Sequence, residues 1–179
     1  MTKRQIRSKI LLRLKTQKEE SRERKSKVIL NKLFRTPGFK KAKIVMFYIS
    51  FDGEVDTRKM IEKARRLGKI VAVPVCKQNE TIYPALLSRN MLLRKGPYGV
   101  AEPAVKRRIY LPKIDLVIVP GVAFDKRGNR LGRGKGCYDR LLKEVPSCTP
   151  TLGLAFDFQI LPSIPATTHD VSVKKVIFG

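Results

Sequence analysis

A chain of 179 residues can bury one substantial core and leaves little room for a second, so residues 1–179 are read as a single domain. Hydrophobic residues at 42% and charged residues at 30% exclude a disordered chain. Lysine and arginine total 39 against 15 acidic residues, and a net charge of +24 would attract phosphate, nucleic acid or anionic lipid.

The cations are spread over residues 3–43, 58–69, 89–108 and 126–143 with no basic tail. A solvated basic surface is therefore expected, and nucleic acid is not required as a partner. Cys76, Cys137 and Cys148 are an odd number without zinc-ligand spacing, which argues against a disulfide framework and for a reducing compartment. No apolar run approaches about 18 residues and no secretory stretch opens the chain, so a cytoplasmic protein with no membrane partner is expected, and a monomer is the default expectation.

Residues 2–34 hold no proline or glycine, and Ile6, Ile10 and Leu14 recur with Leu11 on one helical stripe. One or two amphipathic helices are predicted there. Pro37-Gly38 interrupts the pattern, and the apolar, aromatic and β-branched residues 43–50 read as a buried strand. Thr57 is a candidate cap for a helix carrying Met60, Ile61, Ala64 and Leu67, which ends at Gly68 before a second strand at residues 70–75. Strand, helix, strand is a crossover unit and implies a parallel pair.

Residues 81–87 read as a further strand, and residues 95–103, broken by Gly96, Pro97, Gly99 and Pro103, as a loop. Residues 115–120 are almost wholly apolar, as in a parallel strand covered on both faces. A helix starts near Cys137, and strands follow at residues 151–156 and 173–178. With no internal repeat and no linker, the expected fold is α/β: a three-layer, mostly parallel sheet flanked by helices, Rossmann-like.

Between the buried strand and the helix at Cys137 the chain reads Gly128-Asn129-Arg130-Leu131-Gly132-Arg133-Gly134-Lys135-Gly136. Alternate glycines let backbone amides approach a ligand, and the next helix points its positive end at the same place. Arg130, Arg133 and Lys135 add charged donors, so a polyphosphate fits. The run lacks the Gly-Lys-Ser or Gly-Lys-Thr ending of the P-loop. A solvated turn and an arginine–glycine RNA contact are the alternatives, and a position at the carboxyl end of a parallel sheet favours a ligand crevice.

The run from Val119-Pro120-Gly121-Val122-Ala123-Phe124-Asp125 through Arg130–Gly136 to Tyr138-Asp139-Arg140 resembles the 5-formyltetrahydrofolate cyclo-ligases, also called methenyltetrahydrofolate synthetases. Lys3 and Arg7, Gly53-Glu54-Val55-Asp56, Tyr98-Gly99-Val100-Ala101-Glu102-Pro103 and His169-Asp170 extend the likeness over nearly the whole chain. The resemblance implies conversion of 5-formyltetrahydrofolate, with ATP as co-substrate and Mg2+ as cofactor, to 5,10-methenyltetrahydrofolate, ADP and phosphate. A formamide oxygen leaves poorly; phosphorylation lets the folate N10 attack and expel it.

By the same resemblance Lys3, Arg7, Arg130, Leu131, Gly132, Arg133, Gly134, Lys135, Gly136, Cys137 and Tyr138 are implied ATP contacts, with Arg133 and Lys135 catalytic. Ile49, Glu54 and the stretch Arg133, Gly134, Lys135, Gly136 and Cys137 are implied folate contacts, and Asp139 and Asp170 magnesium ligands. Tyr98 through Pro103 would lie along the folate cleft. Cys137 stands where the family commonly has the first of two tyrosines, and Lys174 where it commonly has an aspartate. His169 is read as structural, because phosphorylating a formyl oxygen removes no proton.

Without the resemblance, Lys3 and Arg7 are an ordinary basic helix face, Glu54 a loop carboxylate, Asp139 a helix-end residue and Asp170 a turn residue. A small basic RNA- or ribosome-associated domain then competes with the enzyme, its binding marked by steep salt dependence. A sugar-phosphate isomerase or acyl-coenzyme-A-type relative on a similar sheet is a third reading, by fold analogy.

Overall fold

The N-terminal stripe folds as two helices, α1 (Lys3–Thr16) and α2 (Glu19–Arg35). Thr2 and Gln5 form a reciprocal capping box that starts α1, and Ile6, Ile10 and Leu14 are its buried face. Extended backbone at Gln17 and Lys18 separates the helices. These elements belong to a computed structural model that describes residues 1–77, 79–88 and 92–179, apart from the side chain of Tyr98.

Pro37 does not break the chain away from helix; it opens a short one, α3 (Pro37–Lys41), capped by the Thr36 hydroxyl. Proline is tolerated at the first helical position because its missing N–H would have no intrahelical partner there. Strand β1 spans only Ile44–Met46 of the predicted residues 43–50. Beyond it Phe47 still donates to the Ala72 carbonyl at 2.9 Å, after which side chains take over the backbone's hydrogen bonds.

Thr57 illustrates that takeover. Its hydroxyl donates to the Tyr48 carbonyl at 2.6 Å and accepts from the Ser50 amide at 3.0 Å, so it makes no side-chain cap for α4 (Arg58–Arg66). Met60, Ile61 and Ala64 are buried as predicted, whereas Leu67, at the turn into Gly68, is 58% exposed. Gly68 has φ of 76°, which closes the helix in the left-handed region.

Strand β2 (Ile70–Cys76) pairs parallel with β1, and β3 (Ile82–Leu86) returns antiparallel along β2. Residues 95–103, predicted as a loop, contribute to a small antiparallel hairpin of β4 (Leu93–Lys95) and β5 (Ala101–Pro103). The Pro-Gly signal marks its tip: Pro97–Gly99 is one turn of tight helix between the strands. Next come β6 (Leu116–Val119), β7 (Ala123–Asp125), β8 (Arg130–Leu131), α5 (Cys137–Glu144), β9 (Thr151–Ala155), β10 (Ile160–Leu161) and β11 (Lys175–Phe178).

The main sheet has the order β11-β9-β6-β1-β2-β3 and is parallel except for β3. Alternate residues feed two apolar clusters: Val45, Leu116 and Ile118 meet Ile29, Leu33 and Met60, while Met46, Val117 and Val119 meet Phe124, Leu141 and Leu142. Thus α1, α2 and α4 cover one face and α5 the other, the three-layer α/β, Rossmann-like arrangement. Each fully buried side chain of this size stabilises the fold by about 1.5–3 kcal/mol before entropy is counted. From β1 the chain moves outward to β2 on one side, while β6 lies on the other. That reversal opens a crevice beyond the carboxyl ends of β1 and β6.

Candidate active site

The crevice is a cleft of about 740 Å³, walled by residues after β1, after β6, the glycine loop and the start of α5. Six cations, Arg7, Arg130, Arg133, Lys135, Arg140 and Lys143, line it together with Glu54, Glu102, Asp139 and Asp170. Of the residues singled out in the sequence, Ile49, Glu54, Arg7, the whole run Arg130–Asp139 and Asp170 share this lining. Lys3 joins through the Asp170 carboxylate, to which its ammonium donates at 2.5 Å.

The loop takes its shape from glycine. Gly134 has φ of 109° and Gly136, at the start of α5, has φ of 65°, both in the region that L side chains rarely adopt. Above Gly134 an added Cβ would meet nothing closer than the Arg7 guanidinium at 3.9 Å, so the loop backbone is open toward the cleft. Arg7 braces the loop, its Nε donating to the Gly132 carbonyl at 2.9 Å. An open loop of amides at a helix N-terminus, surrounded by guanidinium and ammonium groups, suits polyphosphate.

Arg133 crosses the cleft. Its guanidinium lies 4.2 Å over the Phe51 ring, with Asp52 at 2.9 Å and Glu54 at 3.4 Å. Glu54 is only 8% exposed and also accepts from the Phe51 amide at 3.3 Å. Burial pushes its carboxyl up to about 7, against the opposing pull of Arg133. Lys135 pairs with Glu80 at 2.8 Å.

Arg130 is buried against Asp139, while its Nε and the Tyr138 hydroxyl, both shut from water, have no hydrogen-bond partner among the described residues. Burial, with the charge of Glu54 adding to it, holds the Tyr138 hydroxyl far above its ordinary range, so it is a donor at any ordinary pH. Orphaned polar atoms in a cleft wall are candidates for ligand contact.

The two candidate magnesium ligands come together although 31 positions separate them in sequence, from 139 to 170. Asp139 Oδ1 accepts from Arg130 at 2.7 Å and from the amide of Val171, next to Asp170, at 3.2 Å. Asp170 Oδ2 takes Lys3 and both the amide and hydroxyl of Thr167. Partial burial works to raise the Asp170 carboxyl, but those hydrogen bonds outweigh it and hold it at about 2. No group of three or more His, Cys, Asp or Glu suited to a metal occurs among the described residues. Two carboxylates fit magnesium, a hard cation that keeps waters and shares phosphate oxygens.

Some side chains stand differently from their sequence reading. His169 is exposed on the cleft rim, so it is not packed as a structural residue. Lys174 is exposed outside the lining, its ammonium donating to the Ser147 carbonyl. Cys137 is half-buried in the cleft, where burial raises its thiol. Of residues 98–103, Val100 and Glu102 line the cleft, while the Tyr98 side chain lies outside the described residues.

Sequence reading missed Phe51 and Asp52, and it quoted Glu102 and Arg140 without a role. Glu102 is 2% exposed and accepts from the Cys76 amide at 2.8 Å and pairs with Lys106 at 3.1 Å, tying the hairpin to β2. Only the glycine after Asp52 hints at the turn that aims its side chain.

The fold and cleft define an α/β enzyme with a cation-rich glycine loop facing a buried carboxylate. The sequence profile of the 5-formyltetrahydrofolate cyclo-ligase family matches residues 1–179. A mouse 5-formyltetrahydrofolate cyclo-ligase is 32% identical over 188 aligned positions, covering 98% of this chain and 93% of the mouse chain. The Escherichia coli K12 enzyme of the same name is 34% identical over 147 positions, 76% of this chain and 78% of that one. An NMR structure of Aquifex aeolicus 5,10-methenyltetrahydrofolate synthetase superposes with a TM-score of 0.88 at 35% identity, covering 99% of this chain and 90% of that chain. The chain belongs to the 5-formyltetrahydrofolate cyclo-ligase family, enzymes that use ATP to turn 5-formyltetrahydrofolate into 5,10-methenyltetrahydrofolate.

Proposed function

We propose that residues 1–179 act as one catalytic domain and as a monomer, converting 5-formyltetrahydrofolate and ATP to 5,10-methenyltetrahydrofolate, ADP and phosphate. The observation that carries this reading is Arg133, which belongs to the glycine loop yet contacts Glu54 across the cleft. One residue thereby touches both halves of a site for two substrates.

The loop amides, Arg7, Arg130 and Lys135 hold the triphosphate, with Lys3 acting through Asp170 and Leu131 and Tyr138 forming the wall. Glu54 accepts donors from the folate ring, while Ile49 and Cys137 give it apolar contact. With the two substrates held in line, the formyl oxygen attacks the terminal phosphorus and ADP leaves. N10 then attacks the activated formyl carbon, phosphate is expelled, and the N10 proton passes to the departing phosphate to leave the methenyl bridge. Arg133 and Lys135 stabilise the phosphoryl group's negative charge as it transfers, an effect strengthened where water is excluded. Magnesium, held by Asp139 and Asp170, would neutralise phosphate charge and fix phosphate geometry.

No helix among the described residues is long and apolar enough to cross a membrane, which suits the proposed cytoplasmic setting. The reaction as proposed does not require nucleic acid. The test is the absorbance of methenyltetrahydrofolate formed from 5-formyltetrahydrofolate, with and without ATP and magnesium. Formation only when both are added supports the reading; no formation under any condition overturns it.

A further inference from the structure

In this structure every partner of the Arg133 guanidinium among the described residues comes from the loop after β1, and none from the glycine loop that carries it. Its Nη1 meets Asp52 at 2.9 Å, its Nη2 meets Glu54 at 3.4 Å, and its plane lies over Phe51. A guanidinium shared between two carboxylates on one wall is withheld from an anion on the other.

The acid with the shorter contact is built for the task. Asp52 has φ of 51°, a left-handed conformation that is uncommon for a residue with a side chain. Such strain persists only where surrounding packing over-determines it. Here the neighbouring Gly53 is clamped on α1: a Cβ on it would fall 2.1 Å from the Leu14 carbonyl oxygen, and its own carbonyl accepts from Gln17 at 2.7 Å. Lys15 stands 3.7 Å from the other Asp52 oxygen. The end of α1 thus fixes the Asp52 carboxylate toward Arg133.

We propose that Asp52 is a positioning residue that holds Arg133 away from the phosphates until folate engages Glu54, so that the two substrates bind with positive cooperativity. The inference rests on the reading of Glu54 as the folate contact and of the glycine loop as the phosphate site. Folate donors that occupy Glu54 remove the longer of the two contacts on Arg133. The guanidinium, then held by Asp52 alone, turns to the phosphates at a smaller loss. Linkage makes the effect reciprocal: nucleotide tightens folate by the same factor.

The test is calorimetric titration of a non-hydrolysable ATP analogue with magnesium, with and without saturating 5-formyltetrahydrofolate. For the wild-type chain, folate tightens the analogue by about 5-fold or more, within the usual range of site-to-site coupling. Asp52→Asn, which tolerates the same backbone, binds the analogue several-fold tighter without folate, because the guanidinium is then held by Glu54 alone. Asp52→Gly keeps the positive φ most easily and gives the same result if asparagine perturbs folding.

An added Arg133→Ala removes the gain from Asp52→Asn, because the gain passes through the guanidinium. A general change of surface charge would survive that second substitution and would overturn the proposal. So would a wild-type chain without folate coupling, or an Asp52→Asn variant that binds the analogue no tighter than the wild type without folate. If Gly134→Val and Arg133→Ala also bind the analogue as the wild type does, the phosphate-site reading fails and takes the proposal with it. If those two lose affinity while Asp52→Asn changes nothing, the proposal alone fails.

Discussion

Arg130 on β8 and Asp139 on α5 form an ion pair at 2.7 Å inside the cleft wall, the arginine side chain only 3% exposed and the aspartate 19%. Asp139 therefore has two tasks: balancing a buried guanidinium and, in our reading, holding magnesium through its other oxygen. Breaking a buried pair from one side leaves an uncompensated charge, which costs about 3–5 kcal/mol when both groups are fully dry. With Asp139 partly wetted, Asp139→Asn should lower stability by roughly 2 kcal/mol in urea unfolding without magnesium. The same variant should need much more magnesium for activity. Unchanged magnesium dependence would remove Asp139 from the metal site while leaving its structural role intact.

Arg133→Lys separates charge from shape. Lysine keeps the positive charge but cannot span Asp52 and Glu54 or grip two phosphate oxygens with a planar fork. Turnover at saturating substrates should fall about 10-fold or more, roughly 1.4 kcal/mol of transition-state stabilisation, with a smaller change in ATP affinity. Arg133→Ala should be worse. Wild-type turnover in both variants would mark Arg133 as surface charge.

Two glycines test the difference between a binding loop and a structural turn. Gly134 is exposed with φ of 109° and no atom closer than Arg7 above it, so Gly134→Val should weaken nucleotide binding and cost only the backbone strain of the positive φ, about 1 kcal/mol. Gly128 has φ of 87° and is buried, and a Cβ there would stand 2.1 Å from the Val173 carbonyl oxygen. Gly128→Ala should therefore destabilise the fold by about 2 kcal/mol or more. Equal losses of stability in the two variants would show that the glycine loop is held by the fold rather than shaped for a ligand.

Glu54 gives a pH dependence with a definite sign. Its folded carboxyl lies near 7 against an ordinary value of 4.5, so between those values the folded protein holds a proton that the unfolded chain has lost. Stability from this group is thus greatest below pH 4.5 and declines as pH rises through 7. The full decline is on the order of 3 kcal/mol, with the opposing pull of Arg133 already included. Urea midpoints across that range should converge for Glu54→Gln and the wild type at low pH and separate above pH 7, with glutamine the more stable. A constant difference at every pH would mean that Glu54 is ionised throughout.

Much of this molecule is legible from local pattern. Alternating and four-residue apolar spacing located α1, α2, α4 and the parallel strands, because burial of one face or both is written directly into side-chain order. Errors cluster where a residue had two physical uses. Thr57 matched a helix cap, yet the backbone beyond β1 needed its hydroxyl more. The punctuation at residues 95–103 marked a real turn, but pairing of the flanking strands depends on a partner segment that spacing does not specify.

The site divides along the same line. The sequence by itself determined the glycine loop, its cations and its position before a helix, since alternating glycines and cations in a tight turn are a local device of neighbouring residues. It also carried the family resemblance that named Glu54, Asp139 and Asp170. Only the tertiary structure decided what those groups do to one another: that Arg130 neutralises Asp139, that burial lifts Glu54, and that Asp52 faces Arg133 from 81 positions away. Ion pairing and desolvation depend on distance and dielectric in space, and chain order fixes neither until the sheet has brought its crossovers together.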